Sequence, residues 1–289
     1  VISGQIVSQA ARDGYTEIMV DGGAVVTAIA RDAAAVGGLA IVREGRPAPA
    51  AGSRSGASSA AGAGSAEAVY ASAEAKALKD EIVAAGKKIW RRGYVDGNGG
   101  NVSCRLGEKY VLCTPTLLSK ADMTPDDICL VDLEGNQLAG GRKRTSEVIL
   151  HLEIYKAQPK ARACLHAHPP HATAYAIVGM VPPERVIPEA EVFVGCAAFA
   201  PYGTPGTIEI ARKVVELVSD HNTILLGNHG VVALGGSLRD AYSVALEVEN
   251  LARQYLALLA AGLQPEVLSD EELERVMDKF GDYGRLRRD

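Results

Sequence analysis

The sequence predicts an α/β protein, a mixed sheet covered by helices, preceded by a smaller N-terminal α/β piece. Three observations carry this expectation. Short apolar runs of strand length alternate with amphipathic stretches of helix length from about residue 74 to residue 280, the pattern of a layered sheet-and-helix domain. The stretch from Pro47 to Ala66, PAPAAGSRSGASSAAGAGSA, has too little apolar bulk to offset the entropy of ordering it and reads as a linker. A chain of 289 residues that is 47% hydrophobic and 22% charged has the means to bury a full-sized core. The expected division is a small extension over residues 1–44, a linker over 45–66 and a main domain over 67–289.

In the extension, Ile2, Ile6 and Ala10 share one stripe of a helix over Ile2–Ala11, and a strand over Thr16–Val20 runs into a turn at Asp21-Gly22-Gly23. A second helix over Ala28–Val36 stops at Gly37-Gly38 before a strand over Leu39–Val42. Fewer than about 45 residues make a marginal core, so this piece is expected to dock on something else. The main domain opens with a helix over Glu74–Arg92, stopped by Gly93. Strands follow over Tyr110–Cys113 and Ile128–Asp132, the second ending in the turn sequence DLEGNQ. Next come a helix over Glu147–Ala157, a strand over Ala161–His166, a helix over His171–Val178 and a strand over Val192–Cys196. The remainder reads as a helix Thr207–Ser219, a strand Thr223–Leu226, and helices Leu238–Leu263 and Asp270–Phe280.

Composition excludes several classes. A net charge of -5, from interspersed acids and bases, offers no basic surface for a nucleic acid. The five cysteines are scattered, odd in number and never spaced CxxC, which argues for reduced core thiols rather than disulfides or a cysteine zinc site. No apolar run approaches the roughly 18 residues of a spanning helix. The expectation is a cytoplasmic protein with neither a membrane nor a nucleic-acid partner.

The sharpest chemical feature is LHAHPPH. His166 and His168 are two apart at the end of an apolar strand, so both rings project from one face before Pro169 and Pro170 stop it. Two imidazoles on a rigid edge suit a borderline metal such as zinc; two surface histidines at a strand end would look the same. A third, His229, stands just past the buried strand in TILLGNHGVVALG, where sites gather in α/β sheets. Together the three read as a nitrogen site with an open position for substrate. His171 is a candidate for supporting the ligands, and His221 reads as a surface residue.

In RTSEVILHLEIY, Thr145 and Ser146 are plausible N-cap residues, so a helix start presents amides, two hydroxyls and the Glu147 carboxylate. Either Glu147 merely complements the helix dipole, or it faces the metal as a proton shuttle while hydroxyls and amides hold an anion. The loop GNGGN, Gly97 to Asn101, would let backbone amides approach a phosphate, as would many plain turns.

Taken in order, GNGGNVSCR, TPT at Thr114–Thr116, TSE ending at Glu147, LHAHPPH, APYGTPGT, GNHGVVALG and VLSDEELERVMDKFGDYG resemble the class II aldolase and adducin head family. The similarity spans nearly all of 67–289 and is greatest to the L-fuculose-1-phosphate aldolase branch. It implies a three-layer αβα fold with a central mixed, mainly antiparallel sheet. It further implies zinc, or another divalent metal, held by His166, His168 and His229, with Glu147 as fourth ligand and acid/base. Phosphate contacts are implied from Asn101, Thr116, Thr145 and Ser146, with Phe280 and Tyr283 at the positions of an aromatic and a catalytic tyrosine on a closing tail. The implied reaction cleaves a ketose 1-phosphate of L-fuculose or L-rhamnulose type to dihydroxyacetone phosphate and L-lactaldehyde, in a homotetramer with interfacial sites. Two departures stand out. Leu117 replaces the glycine expected after TPT, and IPEAEVFVG, with Glu189 and Glu191, lies where the family carries a leaving-group tyrosine. Alternatives within the same resemblance are an L-ribulose-5-phosphate 4-epimerase-like enzyme and a non-catalytic adducin-like assembly domain. The extension string VVTAIARDAAAVGGLAIVREG with its linker resembles extensions on enzymes packaged in bacterial microcompartments, implying shell proteins as partners through 1–44.

Overall fold

A computed structural model describes residues 4–20, 38–43 and 66–281, together with positions 2, 26, 30, 31, 34 and 286. The expected turn at 21–23, most of the helix expected over 28–36, the linker up to residue 65 and Tyr283 lie outside the described residues.

In the extension, helix α1 (Gly4–Arg12) precedes strands β1 (Glu17–Val20) and β2 (Ala40–Arg43), which pair in parallel. Val7, Val20, Val26, Ala30, Ala34 and Leu39 are buried together in a small core of their own.

The main domain opens with α2 (Ala73–Arg91), whose N-terminus is capped by the Ser72 hydroxyl accepting from the Ala75 amide. Strands β3 (Asn101–Leu106), β4 (Tyr110–Cys113), β5 (Cys129–Asp132) and β6 (Gln137–Ala139) follow, then α3 (Val148–Ala157), β7 (Ala163–Ala167) and α4 (Pro170–Ile177). The remainder is α5 (Pro188–Phe193), β8 (Ala198–Ala200), α6 (Ile208–Val215), β9 (Thr223–Leu226), β10 (Gly230–Gly235), α7 (Leu238–Ala260) and α8 (Asp270–Phe280). The eight main-domain strands lie in the order β6-β5-β4-β3-β7-β10-β9-β8, antiparallel at every pairing except β8 with β9.

Strand periodicity builds the layers. On one face, Val102, Cys104, Leu112, Leu130, Leu165 and Ala233 pack under α2 and α7. The intervening residues, among them Val111, Val131, Cys164, Val232 and Leu234, pack under α3 and α6 on the other. The sheet is therefore mixed, mainly antiparallel and covered on both faces. No helix among the described residues is long and apolar enough to cross a membrane.

Several expectations need correction. Val192–Cys196 is not a strand: Pro188 and the acids Glu189 and Glu191 begin a short helix there, and the strand comes later, at Ala198. β3 and β10 were hidden in glycine-rich surroundings, yet they flank β7 and are central. Of the cysteines, Cys104, Cys113, Cys129 and Cys164 are buried, but Cys196 is exposed.

Candidate metal centre

Register across the sheet assembles the site. His166 lies opposite Asn101 of β3 and Val232 of β10. It shares the α3 face with Cys164, so its ring points toward the start of α3, where Glu147 is the N-cap. His168, one residue past β7, is fixed by its amide donating to the Tyr94 carbonyl at 2.7 Å. The β9–β10 turn carries His229; Asn228 adopts φ 55°, a left-handed conformation that asparagine tolerates, and the His229 amide closes the turn onto Leu226 O at 3.0 Å. Gly230 lets β10 press against β7 beneath this turn, since a Cβ there would stand 2.5 Å from Ala167 O.

The structure thus brings His166, His168 and His229 together, with one ring nitrogen from each lying within 4.8 Å of the others. The Nε2 atoms of His166 and His168 are 3.1 Å apart, and the Glu147 carboxylate oxygens stand 3.5 Å from His166 Nε2 and 3.6 Å from His229 Nε2. Zinc bonds of about 2.0–2.1 Å give a tetrahedron with edges of about 3.3 Å, so these spacings suit a shared cation. Protonation suits it too. His166 Nδ1 bonds the Val231 carbonyl at 3.0 Å; that carbonyl can only accept, so Nδ1 carries the proton and Nε2 is left as a free donor of electrons. Burial, reinforced by the neighbouring rings, holds the His166 pKa well below the ordinary histidine value. Burial likewise lowers His168, and burial with the adjacent His168 takes His229 down to about 4. Neutral imidazoles are the ligating form. Glu147 Oε1 and His229 Nδ1 are buried without a hydrogen-bond partner, an arrangement that costs stability unless something further satisfies the carboxylate. The donor set fits a divalent metal.

Around this centre, Asn101 Nδ2 donates to Glu147 Oε2 at 2.6 Å. Burial raises the Glu147 pKa, opposed by that hydrogen bond and by the charge of Lys120. Thr145, buried, accepts the Glu147 amide on Oγ1 at 3.3 Å, and its own amide donates to Thr114 O at 3.0 Å. Helix α3 begins one residue later than expected, with Glu147 itself at the N-cap and Thr145 and Ser146 in the turn before it. Thr116 is tied to the same turn through its amide and Lys143 O. Asn101, Thr116, Thr145 and Ser146 therefore gather where β3 begins, β4 ends and α3 starts. His171 is outside the cluster: it donates from Nδ1 to Glu249 Oε1 at 2.7 Å, and Glu249 also accepts the amides of His171 and Ala172 at the start of α4. His221 donates to the Cys196 carbonyl at 2.9 Å and is not part of the cluster. Glu191 is buried and accepts the Arg185 amide, whereas Glu189 lies exposed on α5. Phe280 is exposed, and Leu286 packs near Gly236 at the end of β10 opposite His229.

Two features had no sequence signal. Lys120, in LLSKADM, is fully buried, and burial lowers its pKa to about 8, against the pull of Glu147. Ser103 Oγ lies 2.7 Å from His151 Nδ1 and 2.8 Å from Tyr155 Oη, a buried polar chain linking β3 to α3 beside the centre. Polar residues at such positions look like surface residues until the packing is known.

The sequence matches the Class II Aldolase and Adducin N-terminal domain family over residues 80–256. It is 36% identical over 213 residues to a 5-methylthioribulose-1-phosphate/5-deoxyribulose-1-phosphate aldolase of Rhodospirillum rubrum, covering 72% of this chain and 93% of that protein. It is 34% identical over 216 residues to the L-fuculose phosphate aldolase of Escherichia coli K12, covering 73% and 97%. A solved L-fuculose 1-phosphate aldolase superposes with TM-score 0.66 at 31% identity, covering 73% of this chain and 97% of that one.

Proposed function

This chain belongs to the class II aldolase and adducin family and is a sugar-phosphate aldolase, a lyase, and from that premise we propose that it cleaves a ketose 1-phosphate to dihydroxyacetone phosphate and a short aldehyde, L-lactaldehyde when the substrate is of L-fuculose or L-rhamnulose type. The observation that carries the reading is the convergence of three neutral histidines and one buried carboxylate on a common point. His166, His168 and His229 would hold zinc or another divalent cation, with Glu147 beside it. When bound, such a cation acts as a Lewis acid that stabilises negative charge developing on the carbonyl oxygen as the carbon–carbon bond breaks.

The protein's own groups do the rest. In this reading Asn101, Thr116, Thr145 and Ser146 hold the phosphate, placing the scissile bond near Glu147. Glu147 moves the proton: the hydroxyl proton leaves as the aldehyde forms, and the carbon left electron-rich takes one up. Burial raises the affinity of this carboxyl for a proton, which suits a group that must both accept and return one. The Asn101 amide engages Oε2 and leaves Oε1 without a hydrogen-bond partner, open to exchange a proton.

A second reading has a specific motive. The R. rubrum relative is named for 5-deoxyribulose 1-phosphate, and IPEAEVFVG offers no tyrosine at the leaving-group position, Glu191 being engaged with Arg185. Cleavage of a 5-deoxypentulose 1-phosphate releases the same dihydroxyacetone phosphate with acetaldehyde, so the two readings share metal, phosphate contacts and Glu147. They differ only in the aldehyde half. Tyr283 would act from the tail, within a homotetramer whose sites lie at subunit interfaces. Residues 1–44 would dock on shell proteins of a microcompartment, confining a reactive aldehyde.

The test is an enzyme-coupled assay for released dihydroxyacetone phosphate across a panel of ketose 1-phosphates, with metal content measured in parallel. Glu147→Gln is expected to keep its metal and lose most turnover. Full activity in that variant, or no release from any panel member by metal-loaded protein, refutes the assignment.

A further inference from the structure

Lys120 is fully buried and is not among the proposed metal or phosphate contacts. Its Nζ donates to the Leu118 carbonyl at 3.1 Å and the Asn98 carbonyl at 3.3 Å, which accounts for two of its three protons. Its stem packs beside Gly86 of α2, where an added Cβ would lie at ordinary contact distance, 3.6 Å, from Lys120 Cβ. Among the described residues no carboxylate forms an ion pair with it.

The two carbonyls belong to the segments that carry Asn101 and Thr116, two of the proposed phosphate contacts. Asn98 sits in the glycine loop leading to Asn101, and Leu118 follows Thr116 by two residues. A neutral donor would suffice to tie them together. A desolvated ammonium is costly, and it becomes favourable when an anion arrives in the same low-dielectric surroundings.

We propose that Lys120 is a positioning residue for an anionic substrate: it ties the Asn98 loop to the Leu118 turn and supplies a fixed positive charge that the substrate phosphate completes. The identity of the anion as a sugar phosphate rests on the aldolase reading; the charge and the tether do not. Lys120 has no exposed surface, so it acts through the loop and its field rather than by touching the ligand.

The experiment uses full-length, metal-loaded protein and two probes, inorganic phosphate and neutral dihydroxyacetone, with binding read by thermal stabilisation and by competition in the cleavage assay. Lys120→Met is expected to retain its metal and lose about tenfold or more in phosphate affinity, the scale of a removed charge at a desolvated site. Its KM for ketose phosphate should rise by a similar factor, kcat should change less, and dihydroxyacetone binding should hold. Lys120→Arg should recover most of the phosphate affinity. Unchanged phosphate binding in Lys120→Met, equal losses for phosphate and dihydroxyacetone, or no phosphate binding by the wild type would each overturn the proposal. Should Lys120→Met fail to fold, folded and metal-loaded Lys120→Arg decides: a tenfold loss of phosphate affinity there overturns it, and retention supports it. Phosphate binding is read without turnover. Charge-dependent phosphate binding in a protein that cleaves no ketose phosphate would therefore sink the aldolase reading alone, while an active aldolase indifferent to Lys120→Met sinks only this one.

Discussion

Gly230 opens β10 where it crosses the end of β7, and a methyl group there would stand 2.5 Å from the Ala167 carbonyl oxygen and 2.7 Å from Cδ2 of the His168 ring. Its backbone is not in the left-handed region, so alanine meets a steric obstacle rather than a conformational one. Carbon approaches a carbonyl oxygen closely at about 3.3 Å, so relieving the 2.5 Å contact requires the strands to part by about 0.8 Å. Overpacking of this kind costs about 1–3 kcal/mol. The same movement disturbs the Val231 carbonyl that orients His166 and pushes directly on His168. Ligand atoms tolerate only about 0.2 Å, and loss of an orienting contact lowers metal affinity by about 10–100-fold. Gly230→Ala should therefore show both effects at once: a lower denaturation midpoint of the metal-free protein and weaker metal binding in a chelator competition. Gly236→Ala, whose added methyl meets nothing nearer than 3.8 Å, is the control and should change stability by less than about 0.5 kcal/mol. A Gly230→Ala protein with the wild-type midpoint and wild-type metal affinity would refute the strand spacing on which the centre depends.

Acid should destabilise the protein partly through His151, whose pKa burial lowers to about 3. The unfolded chain then binds the extra proton between the ordinary value near 6.5 and about 3, so this contribution is intact above pH 6.5 and declines as pH falls through that window, by about 2 kcal/mol at pH 5. Urea titrations at pH 5 and 7.5 should show His151→Gln losing less stability in acid than wild type; equal losses would remove His151 as a cause. Glu249→Gln replaces an acceptor that serves the His171 and Ala172 amides with a group that is half donor, and should cost about 1–3 kcal/mol in a denaturant melt. A neutral result would mean the start of α4 does not depend on that carboxylate. Leu117 is 80% exposed at φ 56°, so Leu117→Gly removes a left-handed penalty of about 1–2 kcal/mol, less the greater unfolded-state entropy of glycine of about 0.5–1 kcal/mol. A small rise in melting temperature is expected, and a marked fall would show that the leucine side chain makes a contact of its own.

The sequence by itself determined what is local. Alternation of strand and helix follows from side-chain period, and LHAHPPH places two rings on one strand edge because neighbours two apart share a face and proline ends the run. The position of His229 beyond a buried strand was readable for the same reason, and the ordered motifs indicated the family. Only the tertiary structure decided what depends on residues distant in the chain. That β3 and β10 flank β7 is a matter of pairing between segments separated by dozens of residues, and this puts Asn101 across from His166 and brings His229 to the pair. α5 could not be told from a strand because a short apolar run satisfies either period until its neighbours select one. Lys120 and His151 carried no signal in the sequence because charge and polarity predict exposure on average, whereas burial is set by the whole packing, which here leaves neither exposed.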